Sequence, residues 1–221
     1  MLPNLSISEE NYIKSIYHLQ QIQESVNTNA LAAYSKTKPA SVTDMLKKLQ
    51  AKNLLNYNPY KGFRLSRDGN KAALIIIRRH RLWESFLVDK LNFSWEEVHE
   101  VAEELEHVRS KKLIDKLDAF LNFPKFDPHG DPIPDSNGKL SLQQQLPLSQ
   151  LPLNKAAVIT SVHDQSSELL SFLSSLDIVI GTKLEVKRRL PFDNSLEIKF
   201  KNRQSINLSE QVSNAIQVNP I

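Results

Sequence analysis

Six of the eleven prolines fall between Pro124 and Pro152, in the runs FPKFDPHGDPIPD and QQQLPLSQLPL. Proline lacks an amide hydrogen and clashes with the preceding turn, so no helix crosses this stretch, and it splits the 221-residue chain into two parts of different grain. Before it, apolar residues recur at helical spacing. After it, AAVITSV, TKLEVKRRL and SLEIKF alternate as strands, with SSELLSFL as a short helix. The expected architecture is mainly α with a small β part: helices, then a proline-containing linker over 141–154, then a small β-barrel over 155–221.

Within the helical part, Ser8 followed by Glu9 and Glu10 is expected to cap a first helix that continues through Tyr12, Ile13, Ile16, Tyr17 and Leu19. A short helix over about 28–34, a turn from Lys36 to Pro39, a second helix over about 40–52 and a hairpin joining LLNYNP to GFRLS follow. This is the order of a winged helix-turn-helix, assigned to residues 1–71. Charge agrees with a polyanionic partner there: residues 1–71 hold 10 Lys and Arg against 5 Asp and Glu, whereas 72–140 hold 10 against 13 and 141–221 hold 8 against 7. The candidate DNA-reading residues are Lys36, Thr37, Lys38, Pro39, Ala40, Ser41, Thr43, Asp44, Lys47 and Lys48. Small and hydroxyl-bearing side chains at the start of such a helix let it approach base edges, and the lysines meet phosphates. Tyr60, Lys61 and Arg64 at the wing tip are placed to reach flanking phosphates or the minor groove.

The middle region, 72–140, reads as helices over about 69–91, 94–108 and 110–121, with Ser94 capping the second. That second helix carries HEVAEELEHV. At 3.6 residues per turn, Glu106, Glu103 and His107 fall within about 80° of His99, so two imidazoles and two carboxylates share one stripe. His80 and Glu84, four residues apart on the preceding helix, share another. One reading is a solvated polar face supported by i,i+4 pairs. The other is a divalent metal, because crowded carboxylates repel unless a cation compensates. Imidazole and carboxylate without sulfur suit Mn²⁺, Fe²⁺, Co²⁺ or Zn²⁺. The chain has no cysteine, which excludes disulfides and thiolate chemistry. A zincin-type hydrolase needs His at position 103, which is Glu. The proline-rich loop offers no evident nucleophile apart from His129 in DPHGDP, for which a turn role is the favoured reading. The N-terminus lacks a secretory pattern and no apolar run is long enough to span a membrane, so a cytoplasmic location is expected.

Taken together, EENYIKSIY, KPASVTDMLKKLQAKNLLNYNPYKGFRLSRDG, RRHRLWESFL, VHEVAEELEHV and FDPHGDPIP resemble the diphtheria toxin repressor family of iron- and manganese-dependent transcription regulators. The resemblance implies a winged helix-turn-helix, a helical metal-binding and dimerisation domain over 72–140 and an SH3-like C-terminal domain. It further implies a non-enzymatic repressor that binds palindromic operator DNA near metal-uptake genes as a homodimer, with no membrane or small organic substrate as partner. Mn²⁺ or Fe²⁺ is the implied co-effector, with Zn²⁺ or Co²⁺ able to substitute in vitro. An ancillary metal site carries over to His80, Glu84 and His99, and a primary site to Glu103, Glu106 and His107. Glu103 stands where iron-type members have cysteine, which favours Mn²⁺. On the first helix the ligand position is Asn11, a weaker neutral donor, and a second carboxylate position of the manganese type is Lys14. Glu168 or Asp164 of the C-terminal domain is a further candidate ligand. The alternatives are a metal-independent winged-helix regulator with a vestigial His/Glu cluster and a metal-dependent hydrolase.

Overall fold

In the computed structural model, residues 3–23, 25–58, 62–141, 144–163, 166–200 and 204–221 are described. They form two compact units. The first comprises residues up to 81 with 103–115 and 134–140, and the second 82–102, 116–133 and 141–221.

The first unit begins with α1 (Ile7–Ile22), α2 (Thr28–Tyr34), α3 (Pro39–Ala51) and the hairpin β1 (Leu55–Asn58) and β2 (Gly62–Leu65). The cap of α1 is Ser6 rather than Ser8: Ser6 Oγ accepts from Glu9 N while Glu9 returns a carboxylate to Ser6 N, which satisfies two otherwise orphaned amides. Ile13, Ile16 and Leu19 of α1 are buried with Leu31, Val42, Leu49, Leu54 and Phe63 in one core. The hairpin is antiparallel, with Leu55 opposite Leu65 and Tyr57 opposite Phe63. Its second strand is tied back to the segment before α2 by reciprocal hydrogen bonds of 2.9 and 3.1 Å between Phe63 and Val26. Gly62 makes that approach possible: its φ is +93°, and a Cβ there would lie 2.3 Å from the Val26 carbonyl oxygen.

The helix α4 (Arg67–Leu91) belongs to the first unit as far as Arg81 and to the second from Leu82. The next helix, α5, is shorter than its sequence pattern predicts, running only from Val98 to Leu105. Ser94 still caps a turn, its Oγ donating to Glu97 Oε2 at 2.7 Å, but regular helix begins at Val98, and Glu106 and His107 lie in a turn beyond its end. Then comes α6 (Lys111–Phe120).

The second unit carries a six-stranded antiparallel sheet in the order β3-β8-β4-β5-β6-β7, the SH3-like part of the fold. Its strands are β3 (Leu146–Pro147), β4 (Ala156–Val162), β5 (Lys183–Arg189), β6 (Leu196–Phe200), β7 (Ile206–Leu208) and β8 (Ile216–Pro220), with α7 (Ser167–Ser175) and α8 (Glu210–Ala215) between them. The stretch expected as a linker joins the sheet. β3 pairs with β8, and Leu148 and Leu151, 0% and 1% exposed, sit in the core with Ile159, Val186, Leu196 and Ile216. Proline is compatible with this because β3 is an edge strand with one neighbour, so Pro147 displaces no central hydrogen bond. Among the described residues no helix is long and apolar enough to cross a membrane.

Candidate metal centres and DNA-reading face

In the first unit, the face of α1 that carries Glu10 and Lys14, one turn apart, meets α4 and the residues around the end of α5. Lys14 Nζ donates to Glu106 Oε2 at 2.8 Å and to Glu103 Oε1 at 3.2 Å. His80 Nδ1 lies 2.7 Å from the same Glu106 Oε2. On the other side, His107 Nδ1 donates to Glu10 Oε2 at 2.7 Å, while Arg79 and Arg109 hold Glu10 Oε1 at 3.1 and 3.2 Å. Glu106 is 1% exposed, Glu10 4%, Lys14 13% and Glu103 52%. Burial by itself pushes Glu106 up, but the imidazole of His80 and the ammonium of Lys14 outweigh it and hold the carboxyl below the usual range. Close to this positive charge, burial together with Arg81 and Lys14 pushes His18 down to about 4.

These residues do not fit a divalent ion as they are arranged. Two unit charges 4 Å apart near a protein surface interact by about 4 kcal/mol, and a dication beside an ammonium roughly doubles that as repulsion. Glu106 Oε1 has no hydrogen-bond partner and His107 Nε2 lies 3.9 Å from it. This pair alone is fewer donors than an octahedral ion requires. Asn11 is exposed on α1 and joins neither cluster among the described residues.

A second cluster lies wholly within the second unit. Glu84 of α4 is fully buried, and its Oε1 faces His99 Nδ1 of α5 at 3.4 Å and His129 Nδ1 at 3.7 Å. Glu84, Asp127 and His129 each offer a donor atom within 4.8 Å of the others. The loop that brings them in is closely determined. Asp127 Oδ1 accepts from the amides of His129 and Asp131 at 2.9 Å each, and His129 N–H and C=O are thereby set so that its carbonyl accepts from Val162 N at 3.0 Å. Gly130, at φ +84°, lets the loop press against β4, where a Cβ would stand 1.8 Å from the Thr160 carbonyl oxygen. The His129 ring stacks on Trp95, and its Nε2 donates to the Trp95 carbonyl at 2.7 Å. Nδ1 is therefore the nitrogen left to face Glu84; it is buried and makes no hydrogen bond. Burial opposes charge on this ring, yet the carboxylates of Glu84 and Asp127 raise its pKa above the ordinary value. A buried imidazole nitrogen without a hydrogen bond, aimed at the Glu84 carboxylate with the Asp127 carboxylate within 4.8 Å, and a second imidazole 3.4 Å from Glu84 itself, are donors that suit a borderline-hard divalent ion such as Mn²⁺ or Fe²⁺.

Of the expected ligands, Glu84 and His99 meet here, whereas Glu103 and Glu106 hold Lys14 and His107 pairs with Glu10 beside Glu106. His80 offers a donor atom within 4.8 Å of Glu84 and His99, as expected, and its Nδ1 also lies 2.7 Å from Glu106 Oε2. Glu168 is exposed on α7, and Asp164 lies outside the described residues. Sequence reasoning missed Asp127 and favoured a turn role for His129. The motif FDPHGDPIP carried the signal, since an Asp that builds a turn and a His two residues on also deliver two donors to one side.

The DNA-reading residues are laid out on the first unit as expected. Lys36 to Ser41, Thr43, Asp44, Lys47, Lys48 and Arg64 are all exposed, while Val42 and Leu49 of the same helix are buried. Pro39 occupies the first turn of α3 and no side chain caps that end, which leaves its amides to an external acceptor. Tyr60 and Lys61 lie outside the described residues.

Residues 4–63 match the model for the iron dependent repressor N-terminal DNA binding domain, 66–135 that for the iron dependent repressor metal binding and dimerisation domain, and 146–220 that for the FeoA domain. The iron-dependent repressor IdeR of Mycobacterium leprae is 25% identical over 96% of each chain. The HTH-type transcriptional regulator MntR of Oceanobacillus iheyensis is 33% identical over 54% of this chain and 81% of its own. A manganese-dependent transcriptional repressor solved in complex with manganese superposes with a TM-score of 0.88 at 30% identity, covering 96% of this chain and all of the other.

Proposed function

Because the chain belongs to the diphtheria toxin repressor family of iron- and manganese-dependent transcription regulators, we propose that it is a metal-dependent repressor acting on double-stranded DNA in the cytoplasm. The observation that carries the metal dependence is the buried Nδ1 of His129 facing the Glu84 carboxylate, with Asp127 within 4.8 Å of both and His99 3.4 Å from Glu84. In this assignment Glu84, His99, Asp127 and His129 hold Mn²⁺ or Fe²⁺. Glu103, Glu106, His107 and Asn11 are not assigned to it.

DNA recognition rests on α3. Its first turn presents Pro39, Ala40 and Ser41 to base edges, with Thr43 and Asp44 following and the lysines at 36, 38, 47 and 48 at phosphate positions. The protein binds a palindromic operator as a homodimer, in keeping with two-fold symmetric half-sites one helical turn apart. Leu91, Phe120 and Phe123, at 53%, 60% and 66% exposure, are large apolar side chains in the helical part of the second unit that a second copy would cover. The regulated genes are those of metal uptake. In this organisation residues 1–71 read DNA, 72–140 hold the metal and the dimer contact, and 155–221 form the SH3-like domain.

The deciding experiment is binding of chelator-stripped protein to a labelled fragment of its own promoter with and without Mn²⁺. Tightening of about 5- to 150-fold is expected, the usual range of allosteric coupling. Equal affinity with and without metal would remove the reading and favour metal-independent regulation, for which the ammonium at Glu106 is the supporting observation.

A further inference from the structure

We propose that the Lys14 ammonium is the resident cation of the cluster formed by Glu10, Glu103, Glu106, His80 and His107, so that this cluster closes without metal and divalent ions bind at the second cluster instead. The inference deepens the metal-dependent reading by dividing its two clusters, and rests on that reading only for the second.

Lys14 follows Glu10 by one helical turn, so α1 presents an anion and a cation on one face. The anion is received by Arg79, Arg109 and His107, and the cation by Glu106 and Glu103. Glu10, Glu103 and Glu106 are thus matched by Lys14, Arg79 and Arg109, all permanent charges at neutral pH. The match is made where it matters most: Glu106 is 1% exposed, and a buried carboxylate without a compensating cation is costly. A divalent ion added to the cluster would leave an excess of two positive charges in the same volume. For it to enter, the ammonium has to swing away from Glu106. The family's expected ligands, Glu103, Glu106 and His107, are all present in the chain, yet the charge they need is already supplied by a side chain.

The consequence is mechanical as well as electrostatic. Ile13 and Ile16, on either side of Lys14, are fully buried in the core of the DNA-reading unit. Lys14 therefore fastens that core to the turn after α5 whatever the metal concentration, and the threshold for metal sensing is set by the second cluster.

The test counts ions on the full-length protein by Mn²⁺ titration, with free Mn²⁺ read from its paramagnetic resonance signal. Wild type is expected to hold about one tight ion per chain, Glu106→Gln the same number, and Glu84→Gln none. Lys14→Glu, which replaces the ammonium by a carboxylate, should gain about one tight ion; should it misfold, Lys14→Met keeps the apolar stem, frees the carboxylates and is expected to gain one as well. Loss of a tight ion in Glu106→Gln, or no gain in a folded Lys14 variant, would overturn the inference. A wild type holding none would remove the second cluster as the metal centre, yet a gain in the Lys14 variant would still carry the present inference. The two readings therefore fail separately.

Discussion

Two clusters of carboxylates and imidazoles, built from the same kinds of residue, stand in different surroundings. Around Glu106 the protein supplies fixed cations of its own: Lys14 reaches that carboxylate while Arg79 and Arg109 hold the neighbouring Glu10. Around Glu84 the facing groups are the imidazoles of His99 and His129, which offer a lone pair or a proton according to their state. The histidines nearby differ as well: His18 is pushed down to about 4 chiefly by burial, with Arg81 and Lys14 adding to it, whereas His129 is raised by Glu84 and Asp127 against its burial. A count of Glu and His does not reveal that an ammonium stands inside the first cluster.

The comparison is most severely broken at Gly130. Gly130→Ala forces a Cβ toward the Thr160 carbonyl at a positive φ, and a loss of about 3–5 kcal/mol in denaturant unfolding is expected, together with loss of Mn²⁺ binding. If Mn²⁺ binding survived, the 127–133 loop would not be what delivers His129. Lys14→Met, measured in chelator, is expected to cost about 2–3 kcal/mol because Glu106 loses its ammonium while buried, although Glu103 is half in solvent. An unchanged unfolding midpoint would mean that the ion pair holds nothing. Glu84→Gln should leave DNA affinity in chelator unaltered and abolish the tightening that Mn²⁺ produces, worth about 1–3 kcal/mol; retained metal response would move the sensor elsewhere.

The smallest effect is the pH dependence of the metal-free protein. For His18 the folded pKa of about 4 lies below the unfolded value, so the unfolded chain binds more protons between about 4 and 6.5; its contribution is full above about 6.5 and is lost as pH falls toward 4. For His129 the folded value is raised, so its contribution is full below the unfolded value and is lost as pH rises through the folded one. Proton resonances of the two rings should therefore titrate on opposite sides of 6.5, and two coincident midpoints would mean that burial does not depress His18 or that the carboxylates do not raise His129.

The helix-turn-helix and its hairpin were legible because each rests on local pattern: Val42 and Leu49 face inward while Lys47 and Lys48 between them face out. The cap of α1 was legible too, but through the Ser6 and Glu9 spacing rather than through the acids beside Ser8. The end of α5 was not, because neither glycine nor proline marks Leu105; Glu106, in the turn that follows, is buried, which the pattern within one helix does not encode. β3 was hidden by its own proline, which an edge strand tolerates. The primary cluster was visible as a set of ligand types, and Lys14 as a departure from it. That the departure places an ammonium 2.8 Å from Glu106 depends on how α1 packs, which spacing within one helix does not encode.

Lysine and glutamate codons differ in their first base alone. A lineage carrying this chain thus stands one transition away from exchanging a built-in charge for a borrowed one, and the same α1 surface could pass between constitutive and nutrient-responsive control without any rebuilding of the scaffold around it.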